Sequence, residues 1–343
     1  MKKFLISLFW IFNLLAALAL LIAYAAPYID PSLIVFPAFF GLAFPFILLI
    51  NVAFVLIWFF IKWKYALLSL LLIVLGYSYI KVHVQFFGDR KEPDGKGIKV
   101  LTYNVKTFGK YGSKKTKVTA DSIFRFLEDQ KADIICLQEA GFWKKIKIKG
   151  YKRVGKNANF IITKLKVIRS ASLLDENDQK FGLYADLLFG NDTVRVYNVQ
   201  LMSYSVSGDL EQYEEKPDKI NPKQKMITIA RKLKKGFEMR VPETFKLRKS
   251  LENSPYPVIL CGDLNDTPVS YTYRQLIKTG LKDAFTESGR GYGNTYNGYL
   301  PKIRIDYIFA SADYFELYNY HILQTSFSDH FPVSAFIQPV KKQ

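Results

Sequence analysis

Cysteine is nearly absent. Cys136 and Cys261 are the two in 343 residues, so no disulfide framework holds this chain together. Both sit inside apolar, strand-like runs and read as small buried hydrophobes. Histidine occurs three times. His83 and His321 stand in no motif and read as structural, so any imidazole chemistry falls to His330. Acidic residues are in deficit, 30 against 48 Lys and Arg, for a net charge of +18. Eight basic and four acidic residues precede Ile98, so +14 of that excess lies beyond it. Such a charge favours polyanions or anionic headgroups as partners. No run interleaves aromatic with basic residues as a nucleic-acid-reading segment would, and the basic stretch Lys223 to Lys249 also suits a solvated helix face. No internal repeat is visible.

The first 80 residues lack charge almost entirely. Phe4 to Ala26 is uncharged after Lys2 and Lys3, and Ile34 to Ile61 carries Pro37 and Pro45. Tyr65 to Ile80 follows after Lys62-Trp63-Lys64. A spanning helix needs roughly 20 apolar residues, with about 17 as a lower limit. The pattern therefore predicts an all-α transmembrane segment of three helices over 1–80, the third of marginal length. Ala23-Tyr24-Ala25-Ala26 offers small residues like a cleavage site, but the first run exceeds the roughly 7–15 apolar residues of a signal peptide. Lys2, Lys3, Lys62 and Lys64, against a first loop Pro27 to Leu33 free of Lys and Arg, follow the positive-inside pattern. That orientation makes the chain an integral protein of the cell (inner) membrane, with the part beyond the helices facing outward. Residues 81–97, with glycines and Pro93 among charges, read as a linker, and 98–343 as a domain separable from the membrane part.

Beyond residue 97 the hydrophobic period changes. Pro257-Val258-Ile259-Leu260-Cys261-Gly262-Asp263-Leu264-Asn265-Asp266 reads as a buried strand that Gly262 ends, with Asp263 and Asn265 on one side of its carboxyl end. Ile98 to Lys106 is a strand delivering Asn104 and Lys106. Asp133 to Glu139 is a strand ending in a carboxylate. Arg304-Ile305-Asp306-Tyr307-Ile308-Phe309 places an acid between apolar neighbours, and Ser328-Asp329-His330-Phe331-Pro332 sets an acid and an imidazole before the last strand. Ala158 to Thr163, Gly182 to Phe189 and Val194 to Leu201 add strands. Asn221-Pro222 signals a helix start, with Met226, Ile229, Ala230 and Leu233 at helical spacing, and Pro242 is expected to break or kink it. Strands alternating with helices and hairpin-like pairs predict an α/β (α+β) two-sheet sandwich flanked by helices.

In order and spacing, the five motifs from Ile98 to about Pro339 resemble the endonuclease/exonuclease/phosphatase family, the DNase I-like metal-dependent phosphoesterases. The resemblance implies a catalytic domain over 98–343 and hydrolysis of phosphodiester bonds by metal-activated water. Mg²⁺, or Mn²⁺, would be held by Glu139 with Asn104 and Asp329. Asp263 would orient or deprotonate the attacking water with Asn265 in support. His330, its tautomer fixed by Asp306, would contact the phosphate or move a proton. Lys106, Tyr197, Asn198 and Gln200 are the expected substrate-binding residues. Gln200 stands where many members carry a second histidine, and an amide cannot deliver a proton. The implied substrate is nucleic acid or a phospholipid headgroup. A catalytically weakened binder of phosphorylated ligands is the alternative that Gln200 keeps open.

Overall fold

The computed structural model describes residues 2–86, 93–109, 120–141, 148–156, 158–204, 221–298 and 302–340. Helix α1 (Lys2–Ala25) leads through a 3-10 turn, Ala26–Tyr28, to the short α2 (Phe36–Leu42) and then α3 (Phe44–Leu75) and α4 (Tyr77–Lys81). Pro37 and Pro45 sit in the first turns of α2 and α3, where the missing N–H costs nothing. Two helical stretches, Lys3–Tyr28 and Phe44–Leu75, are long and apolar enough to cross a membrane. α3 doubles back at Lys62, whose φ −155 and ψ 85 are non-helical. Ring contacts show the reversal. Trp58 and Tyr65 both meet Trp10, at 6.0 and 4.6 Å. Phe44 and Tyr79, far apart in sequence, both meet Tyr24, at 6.1 and 4.9 Å. Midway, Asn13 donates to Ser69 and Ser69 to Asn51, an interhelical polar chain in an apolar bundle.

The remaining chain forms two six-stranded sheets face to face. β1 (Val84–Gln85) comes first. β2 (Ile98–Asn104), β3 (Ile134–Gln138), β4 (Lys152–Lys156) and β5 (Asn159–Thr163) then belong to one sheet, ordered β13-β14-β2-β3-β5-β4 with β13 (Phe315–Ile322) and β14 (Val333–Pro339). The other runs β10-β12-β9-β8-β7-β6, from β6 (Lys166–Leu174), β7 (Lys180–Phe189), β8 (Asp192–Gln200), β9 (Val258–Asp263), β10 (Leu281–Asp283) and β12 (Asp306–Ser311). Each sheet is antiparallel except for one central parallel pair, β2 with β3 and β8 with β9. Val100, Ile134, Cys136, Val196, Ile259, Cys261 and Ile308 fill the space between the sheets, and both cysteines are buried and free. Outside lie α5 (Ala120–Asp129), α6 (Pro222–Glu252), α7 (Tyr271–Ile277) and α8 (Ala284–Ser288).

Three local readings change. Gly262 lies within β9 rather than ending it; at φ +143, an added Cβ would sit 1.9 Å from the Val199 carbonyl oxygen. α6 starts where expected, with the Asn221 side chain accepting from Lys223 N, but continues through Pro242. Burial of Phe237 on one side of that proline and Leu247 and Leu251 on the other holds the helix across the lost hydrogen bond. The expected linker is partly built into the fold. β1 pairs with β11 (Gly291–Tyr292), and Gly293 N donates to the His83 carbonyl. Residues 87–92 lie outside the described residues.

One buried ion pair ties this junction to the core. Arg304 Nη1 lies 2.7 Å from Asp283 Oδ2, and its Nη2 donates to the Val82 carbonyl at the end of the helical segment. Both side chains are 1 % exposed. Asp283→Leu leaves the guanidinium buried without its counter-charge, and removing one member of such a pair costs about 3–5 kcal/mol. Thermal unfolding of the full chain in detergent should show a large drop in Tm. An unchanged Tm would mean that water reaches the guanidinium.

Candidate active site

Period-two alternation brings the site together. On the inner faces, apolar residues deep in each strand give way to polar ones at one end: Asn104 on β2, Gln138 on β3, Asn198 and Gln200 on β8, Asp263 on β9 and Asp306 on β12. Register aligns Asn104 with Gln138, Gln200 with Asp263 and Asp306 with Asp263. The carboxyl ends of the two parallel pairs therefore face one another across the sandwich, each bearing an amide and, at or just beyond its end, a carboxylate. Glu139 follows β3 directly, Asn265 follows β9, and His330 precedes β14.

Two carboxylates share one amide. Asn104 Nδ2 donates to Glu139 Oε1 at 3.0 Å and to Asp263 Oδ2 at 3.1 Å. Asn265 donates to Asp263 from its backbone N at 2.8 Å and from Nδ2 at 3.2 Å. Gln200 Nε2 donates to Glu139 Oε1 at 2.6 Å. His330 Nδ1 lies 2.9 and 3.1 Å from the two Asp306 oxygens, and its Nε2 is 3.9 Å from Asp263 Oδ2. Asp263, Asp306 and His330 are all buried. Burial, then the Asp306 charge, pushes the Asp263 carboxyl up to about 7 against the opposing pull of His330. Burial alone would lower His330, but the Asp306 carboxylate against it, with Asp263 and Asp329 near, lifts it to about 10. The imidazole is therefore held charged between two acids.

Backbone strain concentrates here. Of seven non-glycine residues at positive φ among those described, Lys106 (+40), Thr107 (+55), Glu139 (+50) and Asn265 (+49) lie at the site. Thr107 N donates to the Glu139 carbonyl at 2.7 Å, which holds both turns. Lysine, threonine and glutamate in that conformation carry a cost that surrounding structure must over-determine.

Most of the expected residues converge, and two do not. Lys106 reaches the site but its Nζ is paired with Asp329 at 2.7 Å, so each occupies the other's charge. Ser328 Oγ donates to the Asn104 carbonyl, which draws the Asp329–His330 turn onto β2. Tyr197 points to the opposite face of its sheet, where its hydroxyl donates to the Ser250 carbonyl on α6. Asn198 faces inward but one step too deep. It donates to the Leu137 and Phe160 carbonyls and accepts from Gln138, fully buried as a polar strut between the sheets. Substrate binding by these two side chains is thereby corrected.

The structure adds two residues the sequence did not reveal. Thr295 Oγ1 accepts from the backbone N of both Ile305 and Asp306, setting the start of β12. The Tyr296 ring stands edge-on to His330 at 5.1 Å. The only sequence signal was Asn294-Thr295-Tyr296-Asn297, a polar segment in a glycine-rich stretch that reads as a turn.

Two sets could hold a divalent ion. Ligand atoms of Asp263, Asp306 and His330 lie within 4.8 Å of one another. His330 Nδ1 already faces Asp306, however, so this trio is arranged for holding a proton. Glu139 offers hard carboxylate oxygen; among the described residues, both amide donors engage Oε1 and none engages Oε2. That chemistry suits Mg²⁺ or Mn²⁺. If so, Gln200 tunes the ion through Glu139, and loss of such a supporting bond usually costs 10–100-fold in metal affinity or activity. Gln200→Ala should raise the Mg²⁺ concentration needed for half-maximal rate by about tenfold, with turnover restored at saturation. Equal Mg²⁺ titrations for both proteins would assign Gln200 no such role.

Comparison with known proteins agrees with this geometry. Residues 218–330 match the sequence profile of the endonuclease/exonuclease/phosphatase family, and residues 6–83 match a profile described only as a domain of unknown function. No curated protein matches the chain. A solved endonuclease/exonuclease/phosphatase family protein from Bacteroides thetaiotaomicron is 18% identical, with a TM-score of 0.51, over 71% of this chain and 97% of that one. One from Bacteroides vulgatus is 17% identical with a TM-score of 0.50, over 72% and 100%. One from Leptotrichia buccalis is 14% identical with a TM-score of 0.50, over 70% and 99%. At such identities the likeness speaks for the fold alone. Over residues 218–330 the chain carries the sequence profile of the endonuclease/exonuclease/phosphatase family, and its two-sheet domain has the fold of solved proteins of that family.

Proposed function

We propose that this chain is a membrane-anchored, Mg²⁺-dependent phosphodiesterase or nuclease, with its catalytic domain on the outer side of the cell membrane. The observation that carries the chemistry is the Asp263 carboxylate, fixed by Asn104 and Asn265 and facing an imidazole that Asp306 holds. Water attack on a phosphodiester needs a positioned base, charge compensation on the phosphoryl oxygens and help for the leaving oxygen. Asp263 is the base: buried, raised toward neutrality and oriented by three hydrogen bonds from two asparagines. His330, held charged, places its Nε2 proton toward the phosphoryl group. A divalent ion on Glu139 would supply Lewis-acid compensation of phosphate charge. Gln200 holds Glu139 in place and carries no proton to the leaving group.

Two helical stretches suited to a bilayer, the second reversing at Lys62 so that the chain would cross three times, and the lysine asymmetry around them support the anchoring and the outward orientation. The test of function is hydrolysis of a phosphoester panel (oligonucleotides, nitrophenyl phosphodiesters, phospholipids) by the full chain in detergent, with Mg²⁺ or with EDTA. Metal-dependent release of product is expected, and silence on every substrate would leave a binding protein. For orientation, a reporter active only in the cytoplasm, fused to the carboxyl terminus, should be silent. A strong signal would reverse the topology.

A further inference from the structure

The amino-terminal half of α6 differs from the rest of its helix. From Pro222 to Phe237 it carries Lys223, Lys225, Arg231, Lys232, Lys234 and Lys235 and no acidic residue. One face is buried: Ile229, Leu233 and Phe237 pack against Val35, Ala38, Phe39 and Leu42, with the Phe39 and Phe237 rings edge to face at 5.3 Å. Towards the amino terminus that side opens: Met226, which helical spacing sets in line with Leu233 and Phe237, is 68% exposed, and its neighbour Ile227 is 45% exposed. The partner element is open in the same way, at Leu33, Ile34 and Phe36. Single exposed apolar residues are ordinary. Here they fall on two elements in mutual contact, one of which also packs on the apolar bundle through Phe40 and Ala43. Apolar residues flanked by lysines are the pattern of a helix lying in the headgroup layer.

We propose that the amino-terminal half of α6 is a bilayer-contact surface. Met226 and Ile227 seat among the headgroups of the membrane that holds α1 and α3, and Lys223, Arg231 and Lys235 face anionic phospholipid. This rests on the membrane reading given above. The open apolar residues and their continuity with the bundle favour lipid over nucleic acid, which would call for aromatic rings among the basic residues. The far half of the same helix grips the catalytic loops. Arg240 donates to the Met202 carbonyl at 2.9 Å and lies 3.4 Å from Asp266, while Glu243 accepts from Met202 N. Met202 follows Gln200 by two residues and Asp266 follows Asn265, so the helix seated on lipid is also the one that braces the site.

The test uses the full chain in nanodiscs of phosphatidylcholine with phosphatidylglycerol, spin-labelled at one introduced cysteine. Cys136 and Cys261 are fully buried and stay unlabelled. Three labelled proteins are compared: Ile227→Cys, Leu18→Cys in α1, and Phe245→Cys at an exposed position in the far half of α6. The label at 227 should favour oxygen over an aqueous nickel complex severalfold more than the label at 245. That preference should shrink when Lys223, Arg231 and Lys235 are changed to Gln. A lipid-buried label at 18 with one at 227 as aqueous as that at 245 overturns the proposal while leaving the anchor intact. An aqueous label at 18 instead removes the anchor, and the proposal with it. If 227 is aqueous and the triple Gln variant loses affinity for a DNA oligonucleotide by fluorescence anisotropy, the basic face serves nucleic acid and the lipid assignment is wrong.

Discussion

Asp263→Asn is expected to lower turnover by a factor of about 10²–10⁴ at every Mg²⁺ concentration, the range of a positioned acid–base group. The carboxylate accepts three donors, Asn104 Nδ2 and Asn265 Nδ2 on one oxygen and Asn265 N on the other. An asparagine keeps the shape, but in either rotamer its NH₂ faces an N–H that it cannot accept. The substitution therefore removes the base and also loosens the two amides, one of which also holds Glu139. Glu139→Gln gives the contrast. If Glu139 holds the ion, part of its lost rate returns at high Mg²⁺, whereas no metal concentration restores Asp263→Asn. His330→Ala should be comparably damaging and equally insensitive to metal. Full activity of Asp263→Asn on every phosphoester would remove the enzyme reading, and a fall restored by Mg²⁺ would move the metal from Glu139 to Asp263.

Much of this site was legible because strands make simple statements. A polar residue where an apolar strand ends marked Asn104, Glu139 and Asp263, and the resemblance of the five motifs to the endonuclease/exonuclease/phosphatase family implied that these and Asp306 meet in one site. The alternation of a strand should have separated Tyr197 from Asn198. Neighbours on a strand face opposite ways, so both could not line one pocket, and neither does. Asn198 failed for a different reason. Depth along a strand depends on where the facing sheet ends, and only pairing across the sandwich, Gln138 to Asn198 at 2.6 Å, reveals it. Thr295 and Tyr296 were invisible because backbone pairing sets their place: Asn297 N donates to the Asp329 carbonyl and Phe331 N to that of Thr295, a pairing no residue type advertises. Lys106 and Asp329 each looked free for a ligand until the fold brought them to 2.7 Å.

The composition break near residue 81 does not mark where contacts end. An apolar residue in a membrane-like helix reads the same whether it meets lipid or protein, so the sequence could not show that α2 is shared. Val269, six residues beyond Asp263 at the end of β9, is fully buried in the helical bundle's cluster. An added Cβ on Gly41 would sit 2.3 Å from the Val269 carbonyl oxygen, which measures how closely α2 meets that loop. Leu42 packs on Tyr296, Ile303 and Ile305, and Tyr296 touches His330. Arg274 lies over the Tyr28 ring at 3.8 Å. The loop after Asp263 and the support of His330 therefore both rest on residues from the first 44.

From these contacts, a chain cut to begin at Lys96 is expected to aggregate or to hydrolyse far more slowly than the full chain, although every residue of the proposed site remains. The cut uncovers part of Val269, Tyr204, Phe237, Tyr296, Ile303 and Ile305, removes β1 from β11, and takes the Val82 carbonyl from the buried Arg304. Full exposure of one large apolar side chain costs about 1.5–3 kcal/mol. Even partial exposure of six, with a buried cation left short of an acceptor, is commensurate with the whole stability of a typical domain, about 5–15 kcal/mol. Should the fragment fold, the loop carrying Asn265 and Asp266 loses its floor, and the loss should fall on turnover more than on KM. Comparison of kcat, KM and sedimentation for the fragment and the full chain in detergent decides it. A monomeric fragment with unchanged kcat would show that the membrane part merely tethers the enzyme, whereas restoration of activity by adding residues 1–86 as a separate bundle would show that α2 completes the site.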